Sequence, residues 1–343
     1  MKKLLNTLYV TTPLSYLSLE NENIVILLEE KEKFRIPFAN VEGIVCFGYM
    51  GASPALMGKC AENNISLSFL SPSGKFLARV TGKTKGSVLL RKKQYQFAED
   101  RQASLFLAQN IVAAKLFNSR NTIERSIRDN ADAVKISKLI DVSKLLKGNL
   151  QKAYDFHDLD ELRGFEGAYA KAYFSVFDEM ILQQKKHFYF TERNKRPPLD
   201  NVNCMLSYLY IILALEITAA LETVGLDPYV GFMHQIRPGR ASLALDLLEE
   251  LRSYLVDRHI LTLINLKQMT NKDFHKKEGG GILLTDERRR KLLDSWQKQK
   301  KEKIRHPIIN EKIEIGLIPY VQAQLMARFL RGDVEEYPPF LCR

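Results

Sequence analysis

Apolar and polar residues alternate with a spacing of two along much of the first 93 residues, a pattern that predicts β-strands. The segments SYLSLENENIVILLE and FRIPFANVEGIVCFG each contain two such runs, and a polar Asn-Glu-Asn turn joins the first pair. ISLSFLSPSGKFLARV alternates around a turn at residues 71–74. Ser53 and Pro54 have the residue types of a helix cap and a first helical position, which predicts one short helix. The pattern therefore predicts a strand-rich domain over residues 1–95.

The apolar spacing becomes helical from about Glu99 onwards. One predicted helix has its apolar face at Leu105, Ala108, Ile111, Val112 and Leu116. LRGFEGAYAKAYFSVFDEMIL predicts a second long helix, and RNKRPPLDNVN predicts a loop because of its paired prolines. A very apolar helix runs from about Asn203 to Val224 and ends at Gly225. We predict a larger all-α domain over residues 96–343, and hence a two-domain α+β fold.

The charge of the chain favours a polyanionic partner. Its 343 residues include 51 Lys and Arg against 40 Asp and Glu, a net charge of +11. Nucleic acid and an anionic membrane surface both fit this balance, and a solvated soluble surface is the plain alternative. The most apolar run, MLSYLYIILALEITAAL, contains Glu216 and is shorter than a membrane span, so we expect a buried helix. The start of the chain is too polar for a signal peptide, which predicts a cytoplasmic protein without a membrane partner.

The first candidate for chemistry is Glu166, which lies between Gly164 and Gly167 in the second long helix. Glycine in a helix interior costs up to about 1 kcal/mol relative to alanine, and is tolerated where a backbone or a ligand approaches closely. Tyr169 and Tyr173 share the face of Glu166, so this carboxylate is expected to be partly buried. A buried carboxylate needs a partner. That partner is either an Arg or Lys in an internal ion pair, or a metal ion.

The second candidate is the segment YVGFMHQIRPGRASLALDLLEELR, which places His234 in a loop before a helix rich in acids. Asp246 and Glu249 are three residues apart and share one helix face. A loop histidine and a solvated helix face are the plain interpretation. Alternatively, two carboxylates and an imidazole suit a hard or borderline divalent ion, and nearby arginines would receive phosphate oxygens. Those arginines are Arg237, Arg240 and Arg252. Sequence spacing does not show that Glu166 and His234 meet.

Five segments of the chain carry a family resemblance: GFEGAYAKAYF, DNVNCMLSYLY, GLDPYVGFMHQIRPGRASLALDLLEELR, GGGILLTDERRRKLL, and the closing VQAQLMARFLRG with EYPPF. Together they resemble the Cas-one family of CRISPR-associated spacer-acquisition integrases. The resemblance covers nearly the whole chain. It implies an N-terminal β domain for dimerisation and DNA contact, a helical catalytic domain, a homodimer, and a Mg²⁺- or Mn²⁺-dependent activity on DNA. It also implies a heterohexameric integrase with a dimer of the small Cas-two protein, which inserts spacer DNA into the CRISPR array and has endonuclease activity.

The resemblance also assigns roles to individual residues. The metal ligands of the family carry over to Glu166, His234 and Glu249, and Asp246 matches an accompanying acid close to the metal. Three further positions match less specific features: Arg237 and Arg252 near the scissile phosphate, and Asn203 at an asparagine position. The family often has Asp where this chain has Glu249. The sequence leaves open whether His234 is a ligand or a proton donor, and how Asp246, Glu249 and Glu250 divide their roles. A non-catalytic DNA-binding scaffold and a stand-alone metal-dependent nuclease are the alternative functions.

Overall fold

The computed structural model describes residues 6–48, 50–72, 74–83, 88–129 and 136–342. Its chain forms two compact units. Unit 1 contains residues 1–85, 286–304 and 313–317, and unit 2 contains residues 86–285, 305–312 and 318–343. Ser73, within the turn predicted at residues 71–74, lies outside the described residues.

The strands of unit 1 form two four-stranded sheets, ordered β4-β3-β2-β6 and β1-β5-β7-β8. Their bounds are β1 Thr7–Val10, β2 Ser15–Glu20, β3 Asn23–Leu28, β4 Lys31–Pro37, β5 Gly43–Phe47, β6 Gly51–Ala52, β7 Ser66–Leu70 and β8 Phe76–Val80. β2 and β3 pair antiparallel across the predicted Asn-Glu-Asn turn, where Asn21 and Glu22 have φ of 45° and 60°. The remaining strands form two short two-stranded sheets, with bounds β9 Phe274–Lys276, β10 Ile282–Leu284, β11 Lys303–Arg305 and β12 Lys312–Glu314.

Ten α-helices are present in the described part of the chain. Their bounds are α1 Pro54–Glu62, α2 Val88–Glu99, α3 Arg101–Asp129, α4 Ile136–Gly148, α5 Leu159–Ser175, α6 Asn201–Thr223, α7 Ser242–Arg252, α8 Arg258–Asn265, α9 Asp286–Lys301 and α10 Ile318–Arg331. A π-helical turn at Ser253–Asp257 joins α7 to α8, and a 3₁₀ turn at Asp178–Met180 follows α5. The prediction of a strand-rich N-terminal part followed by a larger helical part is confirmed.

Helix α6 lies at the centre of unit 2, where it packs against α7 and α10, while α3 packs against α4, α5 and α7. Helix α6 is long and apolar enough to span a membrane, yet 67% of its most apolar 18-residue stretch is buried within the protein. Gly225 follows with φ of 87°, as predicted for the stop of this helix. The expectation of a buried core helix is therefore confirmed.

Two segments differ from the sequence prediction. Residues 88–95 were expected within the strand-rich domain, but they lie in α2, which belongs to unit 2. The buried positions of α2 are Leu90 and Gln94. Because Gln94 is polar, the buried face of α2 does not appear as a helical spacing of apolar residues in the sequence. Helix α9 belongs to unit 1, so the grouping differs from a contiguous division at residues 95 and 96. Within unit 1, Gln297 in α9 donates to the Thr7 carbonyl of β1 at 2.9 Å, a long-range contact without a local signature.

We expect Leu292→Ala to destabilise unit 1, because Leu292 of α9 is fully buried there. Loss of a buried leucine side chain costs about 2–5 kcal/mol. Trp296 is the one tryptophan of the chain and is buried on the same helix, so its fluorescence during urea unfolding measures the effect. Lys298→Ala on the exposed side of α9 is the matched control. Equal unfolding midpoints for the two variants would contradict the placement of α9 in unit 1.

Candidate functional site

Lys115 of α3 holds two acidic side chains from two other helices. Its ammonium group donates a hydrogen bond to Oε1 of Glu166 on α5, and lies 2.5 Å from Oε2 of Glu249 on α7. The Lys115 side chain is only 4% exposed. Of the two partners foreseen for Glu166, the structure shows the internal ion pair. Because the same ammonium contacts Glu249, the pair also brings together two residues that are 83 positions apart in the sequence.

Arg252 is the second cation on Glu249. Its guanidinium lies 3.2 Å from Oε2 of Glu249 and faces the rings of Phe174 and Tyr210, with centroids at 5.6 Å and 5.5 Å. Burial alone would raise the pKa of Glu249, but Arg252 and Lys115 lower it below its usual range. Glu249 is therefore held as a charged carboxylate, and the plain interpretation of a solvated helix face is wrong.

Asp246, one turn earlier on α7, fixes the loop that carries His234. Its carboxylate is fully buried and accepts hydrogen bonds from the backbone amides of Phe232, Met233 and His234 at 2.6, 3.1 and 2.9 Å. The Nδ1 atom of His234 lies 2.7 Å from Oδ1 of the same carboxylate. When Nδ1 carries the proton and donates a hydrogen bond to Asp246, Nε2 presents its lone pair. Asp246 thus orients His234 rather than pointing at Glu249.

Arg163 links α5 to the same loop. Its Nε atom donates to the backbone carbonyl of Met233 at 2.6 Å. Arg163 is three residues before Glu166, and Met233 immediately precedes His234, so this bond ties the two segments together. The imidazole of His234 also lies close enough to Glu249 to be among the groups that lower the pKa of that carboxylate. The structure therefore brings Glu166, His234 and Glu249 into one region of unit 2.

Gly231 allows the His234 loop to pass close to the start of α7. A Cβ atom at this position would lie 2.6 Å from Oδ2 of Asp246 and 2.6 Å from the carbonyl carbon of Ser242. Both distances are far below van der Waals contact, and one of the two groups is backbone. A side chain at Gly231 would therefore push the loop away from Asp246. Gly164 and Gly167 differ, because a Cβ atom added at either would meet no atom within 4 Å.

Glu250, the third acid of α7, belongs to a different cluster. Its carboxylate accepts hydrogen bonds from the Tyr337 hydroxyl at 2.5 Å and from the Phe340 amide at 2.8 Å. Burial raises the pKa of Glu250 to about 7, although these hydrogen bonds oppose the shift. Of the three acids left open by the sequence, Glu249 contacts Lys115, Asp246 contacts His234, and Glu250 contacts the tail of the chain.

The remaining predicted residues contact other groups. Asn203 is fully buried at the start of α6, where its amide accepts from Arg193 at 2.6 Å and donates to Asp200 at 2.6 Å. It thereby anchors the loop before α6. Arg237 lies in the loop after His234 and donates to Gln235 at 2.8 Å.

Two cations of this region were missed by the sequence analysis. Lys115 is a lysine within the apolar face of α3, and a charged residue at a core position was the available signal. Lys195 is exposed in the loop before α6, and no hydrogen bond or ion pair of its ammonium is found within the described residues. Partial desolvation lowers its pKa, and the neighbouring charges of Arg252 and Arg193 lower it further.

The donor chemistry of this region fits a divalent cation. Glu166 and Glu249 supply two carboxylates that already converge on one positive charge, and His234 supplies an imidazole with a carboxylate behind it. Within residues 6–342, leaving aside the gaps in the description, no group of three His, Cys, Asp or Glu side chains is arranged to hold an ion as it stands. Lys115 lies between the two carboxylates, so an ion can bind there only if the ammonium moves aside.

Comparisons with known proteins identify the family of this chain. The model of the family described as CRISPR associated protein Cas1 matches residues 8–298. The CRISPR-associated endonuclease Cas1 1 of Chlorobaculum tepidum is 46% identical over 343 residues, which is 100% of both chains. Among solved structures, a casposase bound to integration product has a TM-score of 0.84 at 22% identity, covering 99% of this chain and 95% of that chain. A chain of a Cas6-RT-Cas1–Cas2 complex has a TM-score of 0.82 at 21% identity, covering 99% and 36%.

We expect Lys115→Met to lower the free energy of unfolding by about 3 kcal/mol, because two buried carboxylates then lose a shared counter-ion. Arg252 still pairs with Glu249, so the loss lies at the low end for a broken buried pair. The difference in free energy of unfolding between the wild type and Lys115→Met is complete above pH 4.5, the ordinary pKa of a glutamate. It shrinks as the pH falls below that value, since the lowered pKa of Glu249 then contributes less to the stability of the wild type. Urea unfolding with a chelator measures this. Lys171→Met, at an exposed position of α5, is the control, and an equal effect of both would contradict the expectation.

Gly231→Ala and Gly164→Ala are expected to have opposite effects on stability. At Gly231 the new methyl group meets Asp246 and the backbone of α7, so we expect a loss of about 1–3 kcal/mol. At Gly164 the methyl group enters open space within a helix, so we expect a gain of up to about 1 kcal/mol. Thermal unfolding of both variants tests this, and a neutral Gly231→Ala would show that the loop is not held as closely as described.

Proposed function

Because the chain belongs to the CRISPR associated protein Cas1 family, we propose that it is the integrase subunit of CRISPR adaptation, a metal-dependent enzyme that joins spacer DNA to the repeat array. The 3′-hydroxyl of a spacer strand attacks a phosphate at a repeat boundary. The new phosphodiester forms as the old one breaks, and the 3′-oxygen of the broken strand leaves as a hydroxyl. With water as the nucleophile the same site acts as an endonuclease. The convergence of Glu166 and Glu249 on one cation, beside His234, is the observation that carries this proposal.

Glu166, His234 and Glu249 would hold the divalent ion, Mg²⁺ or Mn²⁺. When bound, the ion polarises a phosphoryl oxygen and activates the attacking hydroxyl. Asp246 keeps the Nδ1 proton of His234 engaged, so that Nε2 is the atom available as a ligand or as a proton carrier. Arg252 is bound to Glu249 and faces two rings, and we propose that it positions that carboxylate rather than binding a phosphate directly.

We propose that a DNA strand approaches this region along the surface of α5. Gly164 and Gly167 flank Glu166 and leave free space on the surface of α5. Lys195 is exposed near Arg193 and Arg252, and we propose that it receives a phosphate, together with Arg237 at the loop. A net charge of +11 adds a sequence-independent attraction for DNA, which predicts binding that weakens with salt.

Solved structures that share this fold support the proposed partners. One of those structures is bound to integration product, and another is a complex with Cas2. We propose that this chain likewise binds DNA and a Cas2 dimer, and that it acts in the cytoplasm as homodimers within a heterohexamer. The N-terminal strand-rich domain is proposed to form the dimer and to contact DNA, and the helical domain to carry out catalysis.

Alanine at Glu166, His234 or Glu249 is expected to reduce integration at least about 100-fold, because each change removes a group that would hold the ion. The measurement is strand transfer of a duplex with free 3′-hydroxyls into a repeat-bearing plasmid, with the Cas2 partner and Mn²⁺. Glu161→Ala, an exposed acid in the first turn of α5, is the matched control and should retain wild-type activity.

Full activity of Glu166→Ala or His234→Ala would contradict the assignment of these residues to the metal site. A non-catalytic DNA-binding scaffold is the second candidate, and Lys115 is the observation that favours it, because its ammonium already pairs with both carboxylates. Calorimetry with Mn²⁺ separates the two: the scaffold predicts no binding of the ion in the wild type and in all three variants. If His234→Ala still binds Mn²⁺ but has lost activity, His234 carries a proton instead of serving as a ligand.

A further inference from the structure

The tail segment, defined as residues 337–342, is pinned between helices α3, α7 and α10. Tyr337, Phe340 and Cys342 are all nearly or completely buried. Gln322 of α10 donates to the Tyr337 hydroxyl at 2.8 Å and to the Pro338 carbonyl at 3.2 Å. Consecutive prolines at positions 338 and 339 restrict the unfolded chain, which reduces the entropy lost when the segment is fixed. The tail is therefore an ordered part of unit 2.

Glu250 connects the tail segment to α7. Its two carboxylate oxygens accept from the Tyr337 hydroxyl and from the Phe340 amide, one on each oxygen. A buried carboxylate with donors on both oxygens resists displacement, because any movement leaves a charged or polar group unsatisfied. Glu250 is the next residue after Glu249, so its side chain leaves α7 about 100° away from that of Glu249.

Asn118 connects the same two elements to α3. Its fully buried amide donates to the Glu250 carbonyl and to the Phe340 carbonyl, both at 2.7 Å, and accepts from the Cys342 amide at 2.8 Å. Asn118 is three residues after Lys115 on α3, so both side chains lie on the side of that helix that faces α7. The next contact along this stripe is Thr122, whose hydroxyl donates to the Ser253 carbonyl at 3.2 Å.

We propose that the tail segment is a strap that fixes the rotation of α7, and that Tyr337, Asn118 and Glu250 are positioning residues for Glu249. Lys115 and Arg252 hold Glu249, while the strap holds Glu250 about 100° further around the helix. A side-chain group lies about 5–6 Å from the axis of its helix, so a rotation of about 10° moves it by about 1 Å. Displacements of that size are costly in an active site. This inference rests on the proposed function only for the role of Glu249 in holding an ion.

Tyr337→Phe tests the strap with little change in packing, since it removes the hydroxyl and keeps the ring. We expect backbone amides of residues 242–252 to exchange about tenfold faster in hydrogen-exchange mass spectrometry. We also expect the dissociation constant for Mn²⁺ to rise about three- to tenfold, measured by calorimetry well below the unfolding temperature. Asn118→Ala removes the second connection and should act in the same direction.

Tyr154→Phe is the matched control, because the Tyr154 hydroxyl donates to Asn110 at 3.1 Å, a contact that involves neither α7 nor the tail segment. It should leave both measurements unchanged. Exchange in α7 that stays at the wild-type rate in Tyr337→Phe and in Asn118→Ala would overturn the strap. Faster exchange with an unchanged affinity for Mn²⁺ would also overturn it, since the tail would then be structural only. If the wild type binds no Mn²⁺, the proposed metal dependence fails, whereas the exchange measurement still decides whether the tail holds α7.

Discussion

The contact of one lysine with two glutamates is the constraint on which the candidate site depends. Burying a carboxylate without a partner costs several kcal/mol, and Glu166 and Glu249 are both largely removed from solvent. Lys115 is itself almost completely buried, so its ammonium is stable there only beside these carboxylates, whereas Glu249 has Arg252 as a second cation. The three helices that carry them must therefore pack at a distance that keeps the charges together. The same arrangement leaves two carboxylates directed at one point, which is the property a divalent cation requires.

Three acids of helix α7, all within five residues, each bind a different group. Asp246, Glu249 and Glu250 are all buried, and they bind the His234 loop, the Lys115 ammonium and the tail segment respectively. In an ideal helix these three side chains fall within about 100° of one another. Because each has its own fixed partner, a small rotation of α7 disturbs all three contacts at once. The π-helical turn that follows places Asp257 between the hydroxyls of Tyr173 and Tyr210, at 3.0 and 2.5 Å, and Tyr210 in turn faces Arg252.

The sequence predicts local structure well here and long-range partners poorly. Periodicity and turn residues gave the strand-rich start, the apolar core helix and its stop at Gly225, because these depend on neighbours in the chain. The partnership of Lys115 with Glu166 spans 51 residues, and no local pattern encodes it. The identification of Glu166, His234 and Glu249 as one set came from family resemblance. Nothing in the spacing of Asp246, Glu249 and Glu250 distinguishes their roles, since that depends on which group each one meets across the fold.

The length of each acid on α7 matches the distance it spans. Asp246 has the shorter side chain and accepts three backbone amides, which requires the loop to come within contact of the helix; Gly231 permits that approach. Glu249 has one more methylene and reaches Lys115 on α3 as well as Arg252, one turn later on α7 itself. An aspartate there would withdraw the carboxylate by about 1.5 Å, one carbon–carbon bond, unless α7 moved closer to α3. A chain with Asp at this position therefore needs a different spacing between these helices. The residue at position 249 and the contacts that fix α7 have to change together.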